Sequence, residues 1–179
     1  MQNNNHYKTE LTLNEERLQY LFVSTGTRSI IKAIEYSPIT IIGKQTVYNL
    51  GFGDYDEATK NIIDDSNSNN GDMYTVFNTV LQTVPMFFKT KPDCVLYVCG
   101  SDSTDDFTKK CKPNCKKKCV DSCKLENRRI KIYRYFVDKH FIQLSKEYIF
   151  FGKNRKEGNS FVQYIPGKEY HDILVYKKK

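Results

Sequence analysis

Residues 72–85 read DMYTVFNTVLQTVP, and the period of this stretch decides how its neighbours are read. Met73, Val76, Phe77, Val80, Leu81 and Val84 follow the i, i+3, i+4, i+7, i+8 spacing of one helix face. Asp72 stands at the N-cap position and Pro85 approaches the end, so the spacing predicts a helix near 72–88. On both sides the period shortens to that of strands. Upstream lie LFVSTG (21–26), RSIIKAIEYSPITII (28–42) and QTVYNLGFGD (45–54); downstream lies DCVLYVCGS (93–101). In the second of these, Ile30, Lys32 and Ile34 share one face while Ile31, Ala33 and Glu35 share the other, as in a sheet covered in part on both sides.

A second amphipathic stripe, Tyr133, Phe136, Val137, His140, Phe141 and Leu144, predicts a helix near 128–146. YIFFG (148–152), SFVQYIP (160–166) and DILVYKK (172–178) read as closing strands. The expected class is therefore α+β: a mostly antiparallel twisted sheet with two principal helices packed on it. A length of 179 residues fits one domain over 1–179, with 1–17 as a polar lead-in and 102–127 as a Cys/Lys-rich insert. No apolar run reaches the ~18–20 residues of a membrane span, and MQNNNHYKTE lacks the regions of a signal peptide. A cytoplasmic protein follows as the expectation, with its six cysteines as free thiols or metal ligands before disulfides.

The insert holds the sharpest pattern, CKPNCKKKCVDSC at 111–123, with a cysteine at every fourth position. Residues 109–124 carry a net charge of +6 out of +7 for the whole chain, so basicity belongs to this segment and not to the fold. On a continuous helix the four sulfurs would span about 18 Å, too far for one tetrahedral ion. A fold-back at Pro113-Asn114 or at the lysine triplet would bring Cys111, Cys115, Cys119 and Cys123 around a structural zinc. Unligated thiols in a solvated insert, or disulfide hairpins, are the other readings. Cys94 and Cys99 fall in an apolar run and read as core. Only Phe107, Val120 and Leu125 are available to anchor the insert, which is expected to be removable without unfolding the domain.

A second candidate is the junction of Gly100 and Ser101 with the second helix. A glycine turn beside a helix start offers free N–H groups to an anion, and Arg129, Lys131 and Arg134 crowd the first turns. Cations there oppose the helix dipole, which calls for a compensating anion: a bound phosphate, or a carboxylate of the chain clamped by Arg129, with Asp54 and Asp65 as partners. The acidic run around Asp64 and Asp65 lacks the glycine register and closing glutamate of a calcium loop. No P-loop, GxGxxG or Ser/His/Asp spacing is present among these residues.

The order YNLGFGD (48–54), IIDD (62–65), NNGDMYTVFNTV (69–80), GS (100–101), RIKIYR (129–134) and FFG (150–152) resembles a family of uncharacterised short bacterial proteins, over about residues 20–176. The Cys/Lys insert departs from it, standing where that family has a short turn. The resemblance implies a bacterial source and, by analogy, a place in toxin–antitoxin or defence modules. Two functions are then expected to compete. One is a binding module whose lysines contact nucleic acid phosphates or an acidic partner protein. The other is a toxin-like ribonuclease using Arg129, Lys131, Tyr133 and Asp65 around a phosphate. No membrane role is expected, and the oligomeric state is open.

Overall fold

A computed structural model describes residues 5–14, 16–63, 70–115, 117–119 and 123–179. They fall into two compact units, Met1–Cys94 and Val95–Lys179. The class is α+β, with antiparallel strands and two long helices that match the predicted pair.

The first unit is a meander of β1 (Glu10–Asn14), β2 (Arg17–Ser24), β3 (Ile30–Ile42), β4 (Gln45–Asp56) and the short β5 (Asn61–Ile63). The polar lead-in thus contributes a strand. Alternation sets its register: Tyr20 lies opposite Ile34, and Ile34 opposite Phe52, all on one face. Gly43 turns β3 into β4 at φ +62°, which a two-residue hairpin loop requires. At Pro38, which has no N–H to donate, the register shifts. Lys32 sits on the buried face and is neutralised across the strand pair by the Asp54 carboxylate, with its ammonium 5.6 Å from the Phe52 ring centroid.

Helix α1 (Met73–Thr90) covers this face with Val76, Phe77, Thr79, Val80, Thr83, Phe87 and Phe88. Two details differ from the pattern reading. Asp72 holds the N-cap position, yet its side chain makes no capping bond; it accepts from Tyr7 Oη at 2.8 Å and Ser24 Oγ at 2.6 Å. Pro85 lies inside the helix, which continues to Thr90. An internal proline costs about 3 kcal/mol. Burial of two phenylalanines beyond it, at roughly 1.5–3 kcal/mol each, offsets that cost. Phe87 stacks on Tyr36 at 4.4 Å and meets Tyr48 edge-on at 5.3 Å, while the Tyr36 hydroxyl bonds Thr83 Oγ1 at 2.7 Å.

The second unit pairs β6 (Val95–Cys99) with β9 (Asp172–Lys177), β9 with β7 (Tyr148–Lys153), and β7 with β8 (Val162–Gln163), all antiparallel. Helices α2 (Asp105–Cys111) and α3 (Arg128–Glu147) lie between β6 and β7 in the chain. Ile130, Tyr133 and Phe136 form the buried stripe of α3, and Phe141 packs on Phe150 and Tyr164 at 6.0 and 5.9 Å. Cys94 precedes β6 and Cys99 ends it; both are half-buried and not core. No helix among the described residues is long and apolar enough to cross a membrane.

Phe87→Ala removes the ring on which the end of α1 rests. It is expected to destabilise by about 3–5 kcal/mol, read as a lower midpoint in urea unfolding. A change below about 1 kcal/mol would place the anchor of α1 elsewhere.

Candidate metal centre

The cysteine segment does fold back, at the lysine triplet, while Pro113-Asn114 continues α2 as a 3-10 turn. Thr104 caps α2 by accepting from Phe107 N–H at 3.1 Å, and a 3-10 turn over Lys112–Asn114, with Pro113 in it, follows the helix directly. The chain then reverses over Cys115–Lys118, closed by Lys118 N–H to Cys115 C=O at 3.0 Å with Lys118 at φ +46°. Proline stops the helix, and the turn returns the later cysteines to the earlier ones.

The Sγ atoms of Cys111, Cys115 and Cys123 lie within 4.8 Å of one another; Cys119, the fourth expected ligand, stands outside that mutual group and approaches Cys115. Cys123 Sγ is 3.6 Å from Cys111 Sγ, and Cys119 Sγ is 3.5 Å from Cys115 Sγ. A zinc with Zn–S near 2.3 Å needs sulfur–sulfur edges of about 3.8 Å, so these spacings fit a thiolate site. The surroundings already favour thiolate at one position. The N–H groups of Cys119 and Lys117 bond Cys115 and hold its thiol down at about 7. The Cys123 sulfur beside it pushes Cys111 up to about 12. Lys124 N–H donates to Cys119 Sγ at 3.3 Å. Bound there, a metal would supply a structural cross-link between α2, the reversal and the segment entering α3. All four sulfurs are half-buried and unbridged.

The second candidate assembles around a residue absent from the sequence reading. The start of α3 is met by Asp102. Its carboxylate accepts from Arg128 N–H at 2.9 Å and from Arg129 N–H at 3.1 Å, and its C=O accepts from Asn127 N–H at 3.0 Å. The free donors expected to hold an anion are therefore engaged by a carboxylate of the chain. Gly100 is required beside it, since a Cβ there would lie 2.5 Å from Asp102 Oδ1 and 3.2 Å from Ile130 N. Ser101 is exposed, as is Lys131 one turn into the helix, and Arg134 is half-buried with its Nε lacking a hydrogen-bond partner. Asp54 lies in β4 against Lys32. Asp65, the other acidic partner, lies outside the described residues, as does Asp64. Asp102 and Ser103, at the start of the expected insert, are buried.

Burial pushes the Asp102 carboxyl up, against the N–H bonds from Arg129 and Arg128 and the Arg129 charge, and burial prevails. A raised folded-state pKa means that this group favours the fold below its unfolded value and loses that contribution as pH rises through the folded one. Asp102→Ala, which removes the cap, is expected to cost about 0.5–2 kcal/mol at neutral pH. Asp102→Asn keeps an acceptor and removes the buried charge, so it should cost less; equal losses in thermal melts would refute the capping role.

A buried cation–carboxylate clamp also exists, on residues the pattern reading passed over. Asp172, fully buried at the start of β9, accepts from Arg155 Nε at 2.9 Å and from Arg155 Nη2, from Tyr97 Oη at 2.6 Å, and pairs with Lys153 at 3.3 Å. Arg155 Nη1 also donates to Ser103 C=O, and Arg155 N–H donates to His171 Nδ1 at 3.3 Å. Accepting there suits a neutral imidazole, and burial lowers the His171 pKa accordingly. Arg155 lies in the polar stretch KNRKEGN (153–159), and only the register of three strands, with Cys99, Asp172 and Lys153 in one row, brings it to this carboxylate.

Burial pushes the Asp172 carboxyl up, but the Arg155 and Tyr97 bonds with the charges of Arg155 and Lys153 outweigh it, leaving it below the usual range. Its stabilisation is thus present above about pH 4 and lost as pH falls through the folded pKa. Asp172→Asn should cost about 3–5 kcal/mol at neutral pH. The gap between wild-type and variant melting curves should close in acid; a gap constant with pH would remove Asp172 from the clamp.

No curated protein and no solved structure matches the chain. A family model does match, over residues 3–110, which includes the motifs from Tyr48 to Ser101 and stops one residue before Cys111. RIKIYR and FFG lie beyond it. The match spans more than half of the chain, and the protein belongs to this family of unknown function (DUF6934).

Proposed function

We propose that the protein is a nucleic-acid-binding module in which a metal-stapled, lysine-rich loop grips phosphates without regard to sequence. The observation that carries this reading is the state of the lysines. Lys109, Lys110, Lys112, Lys117, Lys118 and Lys124 are all exposed, and none makes an ion pair among the described residues. A cluster of like charges destabilises a loop unless it is held or neutralised. The cysteine centre would hold it, and phosphates would neutralise it. Binding of this kind follows counterion release. The ribonuclease alternative gains no specific observation, since Tyr133 faces the core of the second unit.

The test is a salt titration of labelled single-stranded RNA with protein purified under reducing conditions, in which elemental analysis should find about one zinc per chain. Six phosphate contacts on a single strand correspond to a log–log salt slope of about −4. Replacing Lys109, Lys110 and Lys112 with alanine should flatten that slope by about 2, and chelation should weaken binding as the loop loosens. A slope indifferent to these lysines would sink the reading. Displacement of the RNA by polyglutamate at equal charge would point to an acidic protein partner instead.

A further inference from the structure

The outer face of α3 carries a second basic surface. Arg128, Lys131, Tyr135, Lys139, Ile142 and Lys146 recur at steps of three and four, within an arc of about 80°. All six are exposed, on the side opposite the buried Ile130, Tyr133 and Phe136. The two apolar members are conspicuous there: Tyr135 is 52% exposed and Ile142 83% exposed. None of the four cations makes an ion pair among the described residues. Asp138, which flanks the stripe, is engaged by Tyr164 Oη at 2.7 Å and Gly167 N–H at 3.2 Å. Lys139 Nζ lies 6.0 Å from the Tyr135 ring centroid, and an open recess beside Ile142 is bordered by Lys139, Gln143 and Lys146, with Asp138 and His140 on its flank.

We infer that this stripe is a track for single-stranded nucleic acid, with Tyr135 as a stacking platform for a base; the inference rests on the phosphate-binding reading of the lysine loop. Charge and chemistry select this occupant. A solvated helix face usually mixes both signs of charge, whereas this one pairs cations with an aromatic ring and an isoleucine at intervals of one or two turns. That alternation suits a strand whose phosphates meet lysines while its bases turn onto apolar surfaces. A duplex keeps its bases stacked inside and would leave Tyr135 unused. The stripe is about 27 Å long, enough for about eight stacked nucleotides at ~3.4 Å each. Lys124 and the turn 124–127 lead from the cysteine loop directly into Arg128, so the track continues the loop along the chain.

The experiment uses the full zinc-loaded chain and a fluorescent oligouridylate of about 12 nucleotides, alone and annealed to its complement, followed by anisotropy. Tyr135→Ala should weaken single-strand binding about tenfold, with the salt slope and the duplex affinity unchanged, and Tyr135→Phe should restore it. Lys139→Ala should flatten the slope by about 0.7. Wild-type single-strand affinity in Tyr135→Ala overturns the track; if Lys109, Lys110 and Lys112 variants still weaken binding, the loop reading survives it. If those lysine variants bind normally while Tyr135→Ala is impaired, the loop reading falls and the track stands. Equal loss of duplex and single-strand affinity in Tyr135→Ala, or displacement by polyglutamate, overturns the assignment of a single strand. Circular dichroism melts of each variant separate these outcomes from misfolding.

Discussion

Asp102 joins both ends of the loop that carries the cysteines. Its carbonyl receives Asn127 N–H and its carboxylate receives the next two N–H groups, so the chain returns to within one residue of where it left. The excursion between them is closed by hydrogen bonds before any metal is bound. That closure removes much of the loop entropy that bringing Cys111, Cys115 and Cys123 together would otherwise have to overcome. It also fixes the direction in which α3 leaves the loop, and with it the direction of the basic stripe. Ser103, the next residue, receives Arg155, which ties the same corner to the buried Asp172. Capping bond and clamp therefore meet at two consecutive residues.

Within this frame the charge distribution follows a division of labour. Cations that serve the fold are engaged: Lys32 with Asp54, Arg155 and Lys153 with Asp172. Cations of the loop and of the outer face of α3 are exposed and make no ion pair among the described residues. Buried pairs of the first kind resist salt, whereas exposed charges of the second kind act through a screened field over about 10 Å. The reading of a polyanion surface rests on that contrast more than on the basic pI. The family match ends at residue 110, so the cysteine centre and α3 lie outside the part of the chain that the family model covers.

Both long helices, the strands and the zinc-compatible cysteine set were legible because each depends on local spacing. An apolar stripe every 3.6 residues needs no partner to be recognised, and a proline between cysteines argues from its own chemistry against one continuous α-helix. The end of α1 was less legible, because Pro85 argues for a stop and only Phe87 and Phe88, buried against Tyr36 and Tyr48, keep the helix going. Asp102 escaped notice for a related reason. It caps a helix that begins 26 residues later, and no spacing rule reaches across a loop of that length.

By itself, then, the sequence determined the α+β class, the two helices, the concentration of charge in one segment and a cysteine set of which three sulfurs meet. These follow from periodicity and from charge, which are properties of neighbours along the chain. Tertiary structure alone decided which carboxylate meets which cation. The pairing of Arg155 with Asp172 and the cap of Asp102 on α3 depend on strand register and on closure of a loop. Those bring together groups far apart in sequence, and burial then makes the pairing obligatory, because a lone charge out of water costs more than the fold can spare.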